Sequence, residues 1–203
     1  MVDHNALHDR VQSACQAGHY DDAATATIGG LGPEILGLLV KMTKDSDAAS
    51  DIFSMFCEDL WKGLPRFRWE ASLKNWSYRL AINAHRRYLR DPLRRKGQRL
   101  QTGEADQWPD KARTVTRNYM RTTIKDRFSS LRQHLTPQEQ ALMSLRLDRG
   151  MEWNEIALIM IEDDDPSRDD ILKEAKKQRM RFSRLKQKLT ELARKEGLLD
   201  STD

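Results

Sequence analysis

The chain has little cysteine, and its two cysteines lie far apart. Among 203 residues only Cys15 and Cys57 carry thiols, and neither belongs to a CxxC pair. This spacing argues against a disulfide framework and favours two buried thiols. His4, His8, Cys15 and His19 lie near one another in sequence, but their spacing matches no standard zinc site. We therefore predict no metal and no other cofactor.

Long apolar runs are also lacking. Hydrophobic residues make up 38% of the chain and aromatic residues 7%, against 33% charged residues. We find no segment that approaches the roughly 18 apolar residues needed to span a bilayer, and the polar N-terminus MVDHNALHDR lacks the apolar core of a signal peptide. We expect a cytoplasmic protein with small cores and no membrane partner. Because P-loop, GxSxG and metal-hydrolase spacings are absent, we also expect a protein that is not an enzyme.

Charge is distributed unevenly along the chain. The net charge is only +4, but residues 1–59 are acidic on balance while residues 61–100 and 173–195 are strongly basic. Such asymmetry indicates one surface that contacts an anionic polymer and another that contacts a basic partner.

Hydrophobic periodicity indicates helices throughout, and no strand-like alternation persists. Glycines and a proline at residues 29–33 (GGLGP) predict a break before a helix that begins at Pro33. Thr136, Pro137 and Glu139 form a capping box with proline at the first helical position. We predict an all-α fold of two small helical domains, residues 1–93 and 131–203, joined by a flexible linker at 94–130. The predicted helices are 5–17, 33–43, 48–63, 73–90, 116–133, 137–147, 153–161 and 169–196.

Residues 60–90 combine aromatic and basic side chains. The helix at 73–90 is predicted to carry apolar and aromatic residues on one side and arginines on the other, and Phe67-Arg68-Trp69 precedes it in a loop. Basic side chains neutralise phosphates and rings stack on unpaired bases, so the stretch suggests a surface for an opened strand. An amphipathic helix with a solvated basic face remains the alternative. The apolar side is predicted from Trp76, Leu80, Asn83, Ala84 and Tyr88.

The tail offers a second nucleic-acid signal. Helices at 137–147, 151–161 and 169–190 suggest a helix-turn-helix unit whose last, basic helix enters the major groove. There arginine reads guanine and lysine contacts phosphates. A basic helix that is merely solvated, or that binds a partner, is the alternative.

Together the two stretches resemble the extracytoplasmic-function sigma factors, the smallest class of sigma-70-type initiation factors. Family members carry a pattern close to F-R-x-E-x-S-x-x-x-W-L-Y-R-I-A-x-N-x-x-R-x-x-x-R and, downstream, L-T/S-P-x-E-x-x-x-x-x-L-R followed by x-x-E-I-A. The first pattern is matched here by Phe67, Arg68, Glu70, Ser72, Trp76, Tyr78, Arg79, Ala81, Asn83, Arg86 and Arg90. The second is matched by Leu135, Thr136, Pro137, Glu139, Leu145, Arg146, Glu155, Ile156 and Ala157.

The resemblance implies a two-domain adaptor between RNA polymerase and promoter DNA. The first domain would bind the clamp helices of the polymerase β′ subunit and capture a flipped base of the −10 element, and the tail would bind the β flap and read the −35 element. The implied −10 residues are Arg66, Phe67, Arg68, Tyr78, Asn83, Arg86, Arg87 and Arg90. The implied −35 residues are Lys176, Arg179, Arg181, Ser183 and Arg184.

The chain departs from the family pattern in its tail. The segment EDDDPSRDD at 162–170 is longer and more acidic than the usual turn of the helix-turn-helix unit. An acidic loop repels phosphates, so we expect it to point away from DNA or to lengthen the start of the last helix, where Asp169 and Asp170 suit the positive helix N-terminus.

A second departure lies in the polymerase-binding helix. Where the family carries D-A-E-D, this chain has Asp47-Ala48-Ala49-Ser50, followed by Asp51. Phosphorylation of Ser50, or of Ser46 or Ser54, by a Ser/Thr kinase would restore negative charge. Asp51 could supply part of it unmodified, and the remaining carboxylates of this region could already suffice. We assign Asp47, Ser50, Asp51 and Ser54 to polymerase binding and its regulation; an anti-sigma factor is another possible regulator.

Two rival functions remain open. A one-component helix-turn-helix regulator would bind duplex DNA through the tail without polymerase. An RNA-binding or nuclease-associated module would need the aromatic and basic stretch but not the tail.

Overall fold

A computed structural model describes residues 3–91, 131–163 and 165–195. The chain divides into two compact units, here called unit 1 and unit 2. The described part of unit 1 comprises residues 3–91 with 158–163 and 165–166, and that of unit 2 comprises 131–157 and 167–195. The predicted linker and most of the predicted helix at 116–133 lie outside the described residues. Every regular element in the described ranges is helical, which confirms the all-α prediction.

Unit 1 is built from four helices. They are α1 (His4–Gln16), α2 (Tyr20–Thr43), α3 (Ser46–Gly63) and α4 (Leu73–Arg90), with a 3-10 turn at Leu64–Arg66 between the last two. Side chains start three of them: the Asp3 carboxylate caps α1, the Asp45 carboxylate caps α3, and the Ser72 hydroxyl caps α4. These caps satisfy backbone N–H groups of the first turn and explain why the helices begin there.

The predicted break at residues 29–33 is wrong, because α2 runs without interruption through the glycines and Pro33. Gly30 serves packing instead: a Cβ there would lie 2.5 Å from Leu7 Cδ2 of α1. Helix α2 is long and apolar enough to cross a membrane by length and composition, contrary to our expectation. However, nine of its residues are buried, Leu31, Ile35 and Leu39 among them, so it is the central core helix of unit 1.

Helix α4 has the predicted bounds, but its buried face is rotated from the prediction. Tyr78, Ala81 and His85 form the centre of the buried side, whereas Trp76 and Asn83 are only partly buried. Ala84 and Tyr88 are buried as predicted. Periodicity therefore located the helix and part of its face, and it missed that Tyr78 and His85 also occupy core positions.

Unit 2 contains a capping box, as predicted. Helix α5 (Pro137–Met143) starts at Thr136, whose hydroxyl accepts from Glu139 N–H while the Glu139 carboxylate accepts from Thr136 N–H. A π-helical turn, Ser144–Asp148, continues it. Two further helices are α6 (Trp153–Met160), whose last three residues are assigned to unit 1, and α7 (Arg168–Lys195). Both lie close to the predicted ranges. Lys188 of α7 pairs with Glu139 at 2.8 Å and ties α7 to the start of α5.

Candidate nucleic-acid interface

Three rings form a cluster at the loop before α4. The Phe67 ring stacks on Trp76 with centroids 4.3 Å apart and planes at 13°, and it lies 4.7 Å from the Trp69 ring. A Cβ at Gly63 would lie 2.9 Å from Trp76 Cζ2, so the end of α3 must be glycine for the indole to pack there. All three rings are partly exposed, which leaves aromatic surface beside the loop.

The loop that holds this cluster is constrained by α1. Trp69 has a left-handed backbone conformation (φ 62°), which is unusual for a residue with a bulky side chain. The His8 ring meets Trp69 edge-on at 5.2 Å, and His8 Nδ1 accepts a hydrogen bond from Leu73 N–H at 3.2 Å. His8 therefore supports both the loop and the first turn of α4. The contacts with Trp69 and Leu73 account for the position of His8 without a metal ion. No group of residues able to hold a metal ion occurs in the described parts of the chain.

Arginines border the ring cluster. Arg66 and Arg68 are exposed on the loop side. On α4, Arg86 Nη1 donates to Asn83 Oδ1 at 2.9 Å, and Arg87 forms an ion pair with Asp59 of α3. The structure thus brings most of the predicted −10 residues onto the loop and one side of α4.

Tyr78 does not share this surface. Its side chain is completely buried, and its hydroxyl donates to Glu34 Oε2 at 3.0 Å. The predicted position of Tyr78 on a strand-binding pocket is therefore wrong for the described conformation, because the ring is part of the core. The same burial affects His85, whose pKa falls to about 4 because burial, and then the charge of Arg86, disfavours the protonated ring.

Within unit 1, the segment around Glu162 lies on the arginines. Arg68 Nη2 pairs with Asp165 Oδ1 at 3.0 Å, and Arg86 Nη2 donates to the Met160 carbonyl at 2.6 Å. Glu162 Oε1 lies 3.7 Å from Arg86 Nε and 3.6 Å from Arg90 Nη2. The expectation that part of this acidic stretch lengthens the start of the last helix is confirmed, since α7 begins at Arg168 and carries Asp169 and Asp170 in its first turn. The expectation did not include the contacts that Glu162 and Asp165 make with the arginines of the predicted −10 surface. Carboxylates and carbonyls of the segment occupy the arginine donors.

Helix α7 exposes all five predicted −35 residues. Lys176, Arg179 and Ser183 recur at helical spacing and share one side, whereas Arg181 and Arg184 share another. Inward, Ala175, Gln178, Leu185 and Ala193 are buried. One straight helix cannot present both exposed sides equally to a single groove.

An aromatic platform supports one side of α7. The Trp153 ring lies edge-on to Phe182 with centroids 5.6 Å apart. Guanidinium carbons of Arg146 and Arg179 lie 4.8 Å and 5.7 Å from the Trp153 centroid. Cation–π attraction of this kind holds the guanidinium of Arg179 against the Trp153 ring, although the residue as a whole stays exposed.

Helix α3 presents the predicted polymerase-binding residues to solvent. Asp47, Ser50, Asp51 and Ser54 are all exposed along one side. The Ser50 hydroxyl donates to the Ser46 carbonyl at 2.9 Å, and the Ser54 hydroxyl donates to the Ser50 carbonyl at 3.0 Å. Further along the helix, a hydrogen bond from Lys62 lowers the pKa of Glu58.

Sequence reasoning missed the roles of His8, Glu34 and the acidic segment. The spacing of His8 from the neighbouring histidines and Cys15 matched no standard zinc site, and nothing local showed that His8 contacts Trp69 and Leu73. The acidic character of residues 162–165 was visible, but its location required the tertiary fold. The two cysteines are free thiols but are only partly buried rather than buried as predicted, and this partial burial raises the pKa of each.

Comparison with protein families gives one finding. Residues 28–95 match the family model of sigma-70 region 2. The match begins inside α2 and extends just beyond α4, so it includes the ring cluster and its arginines, while α1 and unit 2 lie outside it. No match was found among curated proteins.

Proposed function

We infer the function from the family, because the chain is a sigma factor of the sigma-70 family and such factors recognise and help to melt promoters. We propose that this one belongs to the extracytoplasmic-function class, acts in the cytoplasm, and directs core RNA polymerase to a small set of promoters without itself being an enzyme. The observation that carries the proposal is the ring cluster with its bordering arginines, which falls inside the matched segment.

For the −10 element, we propose that the loop at 66–72 and α4 hold the melted strand. Arg66 and Arg68 are placed to contact phosphates, and the exposed edges of Phe67 and Trp69 offer stacking surface for an unpaired base. Base–aromatic stacking contributes roughly 1–3 kcal/mol per base. Asn83 with Arg86, together with Arg87 and Arg90, would contact the backbone further along α4.

The direct test is transcription in vitro with purified core polymerase on a panel of promoters. Arg66→Gln should reduce initiation several-fold while leaving core binding unchanged, because Arg66 is exposed on the proposed surface. Arg10→Gln, an equal charge change at an exposed position of α1, is the matched control and should initiate normally. If no promoter is used with the wild-type chain present, the proposal is overturned.

For the −35 element, we propose that α7 enters the major groove with the side formed by Lys176, Arg179 and Ser183. The Trp153 platform beneath Arg179 favours this side, since it orders the guanidinium before binding. Lys176→Gln should then weaken use of promoters that need a −35 element more than Arg181→Gln does. If Arg181→Gln weakens promoter use more than Lys176→Gln does, the side formed by Arg181 and Arg184 enters the groove instead.

We propose that α3 binds the clamp helices of the β′ subunit, and that Ser50 regulates the contact. The support is an exposed stripe in which serine hydroxyls alternate with the Asp47 and Asp51 carboxylates. Phosphorylation adds about −1.5 to −2 charge units and would strengthen attraction to basic polymerase residues. The affinity of core polymerase should rise after treatment with a Ser/Thr kinase, and Ser50→Ala should abolish the rise. Unchanged affinity in both Ser50→Ala and Asp51→Ala would rule out the switch and leave an anti-sigma factor as the regulator to seek.

A one-component regulator is the rival function. Such a protein shifts duplex DNA by itself, whereas a sigma factor needs core polymerase for promoter-specific initiation. Mobility-shift measurements with and without core enzyme on the same duplex separate the two.

A further inference from the structure

The arginines of the proposed −10 surface already have anionic partners inside unit 1. We propose that Glu162, Asp163 and Asp165, here called the acidic segment, occupy this surface in the free chain as an internal substitute for DNA phosphates. The segment would thereby lower the affinity of the free factor for single-stranded promoter DNA. The inference rests on the proposed function of the same surface.

Contacts to the segment reach arginines from the loop to the end of α4. Arg68 pairs with Asp165 at 3.0 Å, Arg90 approaches Glu162 at 3.6 Å, and Arg79 donates to the Asp163 carbonyl. Asp165 N–H donates to Asp163 Oδ1 at 3.0 Å, so two residues of the segment are also bonded to each other. One short segment therefore engages several cations that a strand would need.

The chemistry of these contacts resembles that of a nucleic-acid backbone. Arginine donors bind carboxylate and phosphate oxygens with the same planar fork, so the two anions compete for the same N–H groups. A strand could reach Arg68 fully only after Asp165 leaves. The segment also lies outside residues 28–95, so the contact is an addition to the matched region 2 segment.

The occupation of the arginines by the acidic segment, here called the mask, is expected to be weak and reversible. The Arg68 and Asp165 side chains are 61% and 79% exposed, and an exposed ion pair shifts an equilibrium by a factor of only about 1.4 to 5. If binding requires the unmasked state, the apparent dissociation constant rises by the inverse of the unmasked fraction. For two such pairs we expect masking of about two- to thirtyfold.

The carboxylates and the backbone carbonyls contribute separately to the binding of the acidic segment to the arginines, and substitutions can distinguish the two. Arg79 donates to the Asp163 carbonyl of the segment, and Arg86 donates to the Met160 carbonyl just before it. Both bonds survive when the carboxylates become amides. Glu162→Gln with Asp165→Asn therefore removes the competing charges while retaining much of the local hydrogen bonding. Asp9→Asn with Asp22→Asn raises the net charge equally at exposed positions of unit 1 and is the matched control.

The experiment measures binding of the free full-length chain to a fluorescent single-stranded oligodeoxynucleotide at low salt by anisotropy. The Glu162→Gln, Asp165→Asn variant should bind about two- to thirtyfold more tightly than the Asp9→Asn, Asp22→Asn control. Equal affinity of these two variants overturns the mask while leaving the strand-binding surface intact. Absence of binding by every variant overturns the surface itself, and the mask with it.

A double-mutant cycle tests whether the effect passes through the observed pair. Asp165→Asn should tighten binding in the wild-type background but have little effect in an Arg68→Gln background, since the arginine that it releases is gone. Additive effects of the two changes would show that Asp165 acts only through general charge and would overturn the proposed pairing. Circular dichroism of each variant checks that the helices are retained.

Discussion

His85 is a titratable side chain placed almost wholly inside unit 1, with 2% of its surface exposed. Burial and the neighbouring Arg86 charge lower its pKa to about 4 from the ordinary value of 6.5. Between these values the unfolded chain binds more protons than the folded chain, so stability is fully present above pH 6.5 and is lost as the pH falls toward 4.

Acidification should therefore destabilise unit 1. We expect the free energy of unfolding to fall by about 2 kcal/mol between pH 7 and pH 5 from this one group. Urea unfolding followed by circular dichroism at both values measures the change. His85→Leu removes the titration and should flatten the dependence; a slope unchanged by this variant would contradict the assignment.

Tyr78 illustrates how a residue can match a functional pattern and still be structural. Its hydroxyl bonds Glu34 Oε2, and His4 Nε2 lies 3.5 Å from the other carboxylate oxygen. Tyr78→Phe should cost about 1 kcal/mol of stability by removing the hydrogen bond. Initiation with core polymerase should stay within about twofold of wild type at a temperature where both chains are folded, because the hydroxyl faces Glu34. A tenfold loss of initiation without a change in melting temperature would instead return Tyr78 to the strand-binding site.

Among the elements, α2 shows why glycine and proline do not by themselves end a helix. The segment at 29–33 was predicted to break it, yet the helix continues because its apolar face is buried along its length. Gly30 allows α1 to approach closely, while a Cβ at Gly29 would meet nothing within 4 Å.

These neighbouring glycines form a matched pair of test sites. Gly29→Ala should stabilise the protein by roughly 0.5–1 kcal/mol through helix propensity. Gly30→Ala should destabilise it by about 1 kcal/mol or more, because the new methyl group displaces Leu7. Thermal and urea unfolding of the two variants check the sign. Equal stabilisation by both would mean that α1 shifts freely and does not depend on Gly30.

Helices whose starts carry caps were predicted well from the sequence. Asp45, Ser72 and Thr136 each accept from backbone N–H groups, and these local interactions need no knowledge of the fold. The buried face of α4 was predicted less well, because tyrosine and histidine fit either a core or a surface. The contacts of His8 with Leu73 and of Arg68 with Asp165 join residues that are distant in sequence, so periodicity and local spacing could not reveal them.

At the scale of the whole molecule, a small net charge conceals strong local asymmetry. The chain has 35 basic and 31 acidic side chains, yet the loop at 66–72 and α4 expose several arginines while α3 exposes Asp47, Asp51 and Glu58. This distribution suits a protein that binds a polyanion and a basic protein surface at once.

Salt dependence gives a quantitative test of that arrangement. Each phosphate neutralised by a cation contributes about −0.9 to the slope of log affinity against log salt for duplex DNA, and about −0.7 for a single strand. For the factor bound to core polymerase on a promoter, Arg66→Gln should reduce the magnitude of the slope by roughly one. Arg10→Gln should leave it unchanged. A loss of affinity with no change in slope would mean that Arg66 supports the loop rather than contacting phosphate.

The stacked rings beside the loop have an optical consequence. An unpaired base that inserts at Phe67 must alter the surroundings of Trp69 and Trp76 together, because both indoles lie within 5 Å of the same phenyl ring. Indole emission responds to such changes, so strand capture can be timed in unlabelled protein by stopped-flow fluorescence. Replacing Trp61, which lies outside both the stack and the Trp153 platform, by phenylalanine would reduce the background emission and make the moment of promoter opening easier to follow.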